Sequence, residues 1–233
     1  GKKIVETLND GNVARIEVDE ILTGIGRMPA LAGLDLEAAG VAYDPDDGIV
    51  VDDSRRTTNR RIFAAGDVCP EHKFTDTAKA SALIDVRNAL CFGRELLSAL
   101  AIPWCTYTDP EIAHAGLYVR QARARGMAVK TFTVPMHDVD RAVTDGEESG
   151  FVKVHVREGT DEIIGATVVE RHAGEMINEL SLAMVAGIGF GAIARVIHAY
   201  PTQAEGIKMA AMAYVRTPAS RWMAWLRRLW FVR

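Results

Sequence analysis

The run Thr58-Asn59-Arg60-Arg61-Ile62-Phe63-Ala64-Ala65-Gly66-Asp67 restricts the fold of this chain more than any other stretch. Residues 61–65 read as a buried strand that delivers a glycine and then an aspartate to the carboxyl edge of a sheet. Ligands of open α/β sheets bind at such strand ends. Gly66 lets backbone come close to a ligand, and the Asp67 carboxylate can accept hydrogen bonds from sugar-like hydroxyls. Eight residues further on, Thr75-Asp76-Thr77 reads as a helix N-cap, opening an Ala-rich helix expected over 78–100. Free N–H groups and the positive dipole end at that point favour an anionic oxygen or an electron-rich ring edge. Taken alone, either piece is more often a Gly-Asp turn or an ordinary cap.

The segments before this run are short. Residues 3–8 and 14–18 alternate around Asn9-Asp10-Gly11-Asn12 and predict a β-hairpin. Residues 20–29 predict a buried strand running into a Gly/Pro break, 31–40 a short helix capped by Gly40, and 49–52 a strand. Ile102-Pro103 ends the Ala-rich helix, and the texture then changes. Strands are expected at 104–108, 129–134, 151–156 and 163–170, with helices at 117–125, 173–186, 190–196 and 205–214. Strands and helices in runs indicate an α+β domain after a boundary near residue 101.

Composition narrows the function classes. A net charge of −4 gives no basic excess for nucleic acid, and no basic aromatic face is evident. The three cysteines, Cys69, Cys91 and Cys105, form no Cys-x-x-Cys pair, so a disulfide framework is not expected and a reducing cytoplasm is the simplest home. No apolar run reaches the roughly 20 residues that span a bilayer. Residues 218–233 carry four arginines, no acid and several large aromatics. We read this tail as a helix that packs on its own protein or on a partner; the alternative is an interfacial membrane helix.

A second catalytic-looking stretch is His198-Ala199-Tyr200-Pro201-Thr202-Gln203-Ala204-Glu205. It has a titratable His, a phenol beside a proline, and a Glu five residues on, yet no nucleophile–base pair and no metal-ligating cluster completes it. It reads as half of a site.

Taken together these motifs resemble the FAD-dependent pyridine nucleotide-disulfide oxidoreductases, the family of dihydrolipoamide dehydrogenase, glutathione reductase and mercuric reductase. Thr-x-x-x-Ile-Phe-Ala-x-Gly-Asp resembles the family's second flavin motif. Leu22-Thr23-Gly24-Ile25-Gly26-Arg27-Met28-Pro29 resembles its Gly-Arg-x-Pro crossing out of the nicotinamide domain. Phe74-Thr75-Asp76-Thr77-Ala78 resembles the helix start at the flavin pyrimidine, and Pro201-Thr202-x-x-Glu205 the terminal His-Pro-Thr-x-x-Glu. The four fall in the family's order.

The resemblance implies a fold of α/β plus α+β type: the C-terminal part of FAD/NAD(P)-binding Rossmann-like domains, then an α+β dimerisation domain. Residues 1–29 would end the NAD(P)-binding domain, 30–100 close the FAD-binding domain, 101–217 form the dimerisation domain, and 218–233 the tail. Gly66 and Asp67 would hold the ribityl or pyrophosphate region of FAD. Lys73, Phe74, Thr75, Asp76 and Ala78 would line the isoalloxazine, and Gly26 would approach NAD(P)H. Tyr200 and Glu205 would shape the acceptor side across a homodimer, which explains a half-site.

Two departures qualify this. The family's base is the His before the Pro, where this chain has Tyr200; a phenol titrating near pH 10 is a poor base. His198 reads as a structural histidine. Tyr at this place resembles the mercuric reductases, but the terminal Cys pair that delivers metal in those enzymes has no counterpart after Cys105. No metal site is therefore expected. The family's Gly-x-Gly-x-x-Gly and Cys-x-x-x-x-Cys are also missing, so the sequence is expected to be a C-terminal piece of a longer protein. The implied activity is electron transfer from NAD(P)H through FAD to a disulfide, a metal ion or a quinone-like acceptor; the alternative is an inert dimerisation module.

Overall fold

The alternating residues of 3–9 and 12–18 close the expected hairpin in the computed structural model, which describes residues 1–9, 11–70 and 73–216. Strand β1 (Lys3–Asn9) pairs antiparallel with β2 (Asn12–Val18) in register Lys3↔Val18 to Asn9↔Asn12. The chain divides into two compact units, Gly1–Ala89 and Leu90 onward. The tail expectation at 218–233 lies outside the described residues.

In the first unit the buried strand expected at 20–29 does not form. The segment is irregular, and Ile21, Leu22, Ile25 and Met28 are exposed. No described strand pairs with it, so it gains no ladder of backbone bonds and these apolar side chains stay uncovered. The expected helix at 31–40 is only a turn, although its capping is real. Val41 N donates to Leu36 O at 2.9 Å and Gly40 N to Glu37 O at 3.1 Å, the paired bonds of a Schellman motif. Gly40 supplies the left-handed residue (φ +68°), and Leu36 and Val41 bury together. Thr58 and Asn59 hold this turn in place. The Thr58 hydroxyl accepts from Ala42 N and donates to Gly40 O, and Asn59 Nδ2 donates to Ala39 O at 2.7 Å.

The strands expected at 49–52 and 61–65 shrink. Strand β3 (Tyr43–Asp44) pairs with β4 (Gly48–Ile49), two residues each, around an Asp44 turn. Beyond them only single bridges, Val51↔Thr57 and Arg56↔Phe63, remain. Residues 61–65 are thus not a central sheet strand here, because no described strands flank them. The segment instead enters a 3-10 turn at Gly66–Val68, and Ile62, Ala64, Val68 and Cys69 join a small core with Leu36, Val41 and Ile49. Helix α1 (Thr75–Leu90) begins where the cap signal predicted but stops ten residues short of 100. Phe92 in the left-handed region (φ +54°) and Gly93 follow, and Leu97–Ala99 forms a separate 3-10 turn.

The second unit matches its expectation closely. Strands β5 (Trp104–Thr106), β6 (Glu111–Gly116), β7 (Val129–Pro135), β8 (Phe151–Arg157) and β9 (Ile163–Glu170) form an antiparallel sheet in the order β5-β6-β9-β8-β7. Strand β6 is one that the sequence pattern did not reveal. Helices α2 (Val119–Ala124), α3 (Asp140–Asp145), α4 (Ala173–Val185) and α5 (Phe190–Ile193) follow, and 205–216 form α6. Helix α4 buries Ala173, Met176, Ile177, Leu180 and Ala183, a helical stripe set against β5, β6 and β9. Together with Val152, Val154, Val156, Val168, Phe190 and Ile207 these make one core. No described helix is long and apolar enough to cross a membrane.

Candidate functional site

Residues distant in sequence meet at the Gly66–Asp67 turn of the first unit. Arg27 Nη1 donates to Asp67 Oδ2 at 2.7 Å and to the Lys73 carbonyl at 3.1 Å. Lys73 Nζ returns a bond to the Arg27 carbonyl at 3.2 Å. The Gly-Arg-x-Pro crossing, the Gly-Asp turn and the approach to α1 therefore form one mesh. Its ion pair is exposed, so it fixes geometry more than it adds stability. Arg27 was not among the expected site residues, although the motif that contains it was recognised. Gly26 precedes it at φ +133°, exposed and with open space where a Cβ would stand.

Gly66 adopts φ +80°, and a Cβ on it would stand 3.2 Å from Ala78 Cβ. The absence of a side chain is what lets the turn lie against the first turn of α1. The first helical bond runs from Ala78 N to Phe74 O at 2.8 Å, which makes Phe74 the N-cap and Thr75 the first helical residue, so the cap falls one place earlier than expected. The N–H groups of residues 75–77 are thus without helical acceptors. Phe74, Thr75 and Asp76 are exposed, while Lys73 and Ala78 are half-buried. All the expected residues from Gly66 to Ala78 lie at this turn and helix start. The arrangement offers N–H donors at a positive helix end, a carboxylate for hydroxyls and a cation, a set suited to a ligand with anionic and hydroxyl groups.

The second cluster is in the other unit. His198 is half-buried with its ring largely covered, and its Nε2 lies 3.0 and 3.2 Å from the two Glu179 carboxylate oxygens on α4. It anchors the 198–205 loop, as a structural histidine would. Tyr200 stands in solvent and donates its hydroxyl to Asp140 Oδ2 at 2.9 Å. That bond first, then the Asp140 charge, slight desolvation and the Glu205 charge, raises the phenol above its ordinary value. Tyr200 is therefore a neutral donor at physiological pH and not a base. Glu205 opens α6 and lines a cleft of about 240 Å³ with Lys208, Met209, Met212 and Arg216; it is Asp140, not Glu205, that holds Tyr200. Asp140 is a residue the sequence did not flag, lying sixty positions from Tyr200 on a helix of six residues. Beside the loop a 270 Å³ cleft is lined by Arg141, Asp145, His172, Thr202 and the largely buried Gln203. No group of three His, Cys, Asp or Glu able to hold a metal occurs among the described residues.

Residues 1–82 match the pyridine nucleotide-disulphide oxidoreductase model, and 102–211 match that family's dimerisation domain. The chain belongs to the pyridine nucleotide-disulphide oxidoreductase family. It is similar to mercuric reductase of Bacillus cereus (35% identity over 213 residues, 91% of this chain and 34% of the relative). It is equally similar to dihydrolipoyl dehydrogenase of Thermus scotoductus (35% over 210 residues, 90% of this chain and 45% of the relative). Among solved structures, LpdA from Mycobacterium tuberculosis superposes with TM-score 0.77 at 27% identity, covering 91% of this chain and 48% of that one. The HOCl-induced flavoprotein disulfide reductase RclA from Escherichia coli gives 0.74 at 28% identity, covering 85% and 46%. The chain spans less than half the length of each of these four proteins. Its fold is part of the family's α/β nucleotide-binding region followed by its α+β dimerisation domain.

Proposed function

We propose that this chain forms part of an NAD(P)H-dependent FAD oxidoreductase of mercuric-reductase-like or dihydrolipoamide-dehydrogenase-like type. Family membership supports the reading, and the observation that carries it is the mesh of Arg27, Asp67 and Lys73 beside the open N-terminus of α1. The site fits FAD in its chemistry. Gly66 has no side chain to obstruct a close backbone approach, and its turn lies on Ala78. Asp67 would accept from ribityl hydroxyls, and the N–H groups after Phe74 would face the electron-rich pyrimidine edge of the flavin. Lys73, Phe74, Thr75, Asp76 and Ala78 would line the ring system, and Gly26 would lie toward the nicotinamide nucleotide. Bound FAD supplies two-electron chemistry between NAD(P)H and an acceptor.

Residues 1–29 act as the end of the NAD(P)-binding domain, 30–100 as the close of the FAD-binding domain, 101–217 as the dimerisation domain of a cytoplasmic homodimer, and 218–233 as its tail. Tyr200 and Glu205 work on the acceptor side of the partner's flavin. There Tyr200, oriented by Asp140, donates a hydrogen bond and takes no proton. The acceptor is a disulfide, a metal ion or another small oxidant.

The test is to express the complete open reading frame and assay bound flavin. A yellow protein that loses FAD on Asp67→Asn and is reduced by NADH or NADPH is the expected result. A colourless product that does not reconstitute with FAD overturns the reading.

A further inference from the structure

From Arg195 to Pro201 every residue is exposed except His198. Val196 and Ile197 carry large apolar groups, yet both face solvent, so burial does not hold this segment. The His198 side chain is 8% exposed and bonds through Nε2 to both Glu179 oxygens, while its Nδ1 is buried without a hydrogen-bond partner. A carboxylate only accepts, so the contact requires a hydrogen on Nε2 and makes Glu179 the group that fixes the ring.

Glu179 is itself held, because its neighbours Ile177 and Leu180 on α4 are buried in the core of the second unit. On the other side of the phenol, Asp140 opens α3 between Val139 and Ala142, both fully buried in that same core. Tyr200 therefore stands between two elements that are separately fastened: α4 through His198, and α3 through its own hydroxyl. Only Ala199 separates His198 from Tyr200. Its carbonyl accepts from Thr202 Oγ1 at 2.7 Å, which ties the intervening residue to the loop beyond. The Tyr200–Asp140 bond is exposed, and a bond between exposed groups trades against water for a small net gain. Fixing the backbone of even one residue costs a comparable amount of entropy. That bond alone does not order the segment carrying it, so the segment has to be ordered from elsewhere.

We propose that Glu179 and His198 are positioning residues for Tyr200, fixing the start of the 198–202 loop so that the phenol meets Asp140. They act through the loop backbone. Without the pair the loop samples other paths, the Tyr200 hydroxyl turns to water, and the donor is no longer aimed. The consequence for an acceptor rests on the function proposed above, in which Tyr200 donates across the homodimer. The consequence for the phenol does not.

Spectrophotometric titration of the 233-residue chain tests this with no cofactor present. Each variant is titrated beside its own Tyr200→Phe counterpart, and the difference curve isolates the Tyr200 phenol. The wild-type curve should show the late ionisation that the Asp140 contact imposes. Glu179→Ala and His198→Ala should each bring the midpoint back toward the ordinary value of about 10. The double variant should go no further than either alone, because the two residues form one anchor. His198→Gln, whose amide donates to the same carboxylate, should keep the late curve. A pair that only stabilises the fold would lower the unfolding temperature of the Ala variants and leave their phenol curves in place; that result overturns the inference. Should the Ala variants fail to fold, Glu179→Asp decides. It draws the carboxylate back by one methylene and should move the midpoint in the same direction, and an unmoved curve there also overturns the inference. A failure of this test leaves the proposed function standing, and a colourless product of the complete reading frame leaves the phenol result standing.

Discussion

Tyr200 and Asp140, sixty residues apart, are joined by a 2.9 Å bond from the phenol to a carboxylate oxygen at the start of α3. The bond, with the charge behind it, makes Tyr200 harder to ionise than a free tyrosine. A spectrophotometric titration should show one phenol of the wild-type chain ionising late. Subtracting the Tyr200→Phe curve isolates it, and Asp140→Asn should bring it back toward the ordinary range. If that difference curve has a midpoint at or below the ordinary value of about 10, the neutral-donor role of Tyr200 is wrong.

His155 sets an acid limit on the second unit. Burial, then the charges of His114 and Lys153, push its imidazole from 6.5 down to about 4, and Nδ1 sits 2.9 Å from Thr131 Oγ1. Between these values the unfolded chain binds more protons than the folded one. Stability therefore rises with pH across this window and is lost as pH falls through it, by an amount on the order of 2 kcal/mol for this group. Urea unfolding at pH 7, 5.5 and 4.5 should show the slope, and His155→Asn should reduce it. Some slope should remain, because burial also lowers His114.

Gly66 and Gly40 make a controlled pair. Both have positive φ, but a Cβ at Gly66 would press on Ala78 at 3.2 Å, whereas at Gly40 it meets open space. Gly40→Ala should cost about 1 kcal/mol for the left-handed backbone alone. Gly66→Ala should cost more and should alter exchange at Thr75–Ala78, which Gly40→Ala leaves as it is. Equal costs would remove the close approach as the reason for a glycine at 66.

Phe190 is fully buried between Phe132 and Tyr214, with ring centroids at 6.0 and 5.8 Å. Phe190→Ala should destabilise the second unit by about 3–5 kcal/mol. Thermal unfolding followed by circular dichroism measures it, and a loss below about 1 kcal/mol would mean that the core closes without this ring.

Local pattern carried much of this protein. The hairpin at β1–β2, strands β7 to β9, helix α4 and the start of α1 were legible because each has a strong period, turn or cap of its own. Strand β6 was not: Ala113, His114 and Ala115 are small or polar, and they bury only because β5 and β9 flank them and His114 finds Thr167 Oγ1 at 2.9 Å and the Gly116 carbonyl at 3.1 Å. Residues 20–29 and 61–65 failed in the opposite way. They have strand-like composition, but a strand is a relationship between segments, and no described neighbours complete it.

By itself the sequence determined the order of the four motifs, and with it the family, because glycine, proline and cap residues act within a few positions of where they stand. Only the tertiary structure decided which side chains meet. Arg27 reaches Asp67, Asp140 holds Tyr200, Glu179 takes His198, and Arg55 donates to the Ala64 carbonyl. These partners lie from nine to sixty residues apart. Hydrogen bonds and charges act over a few ångströms of space, and the fold alone sets which residues come that close.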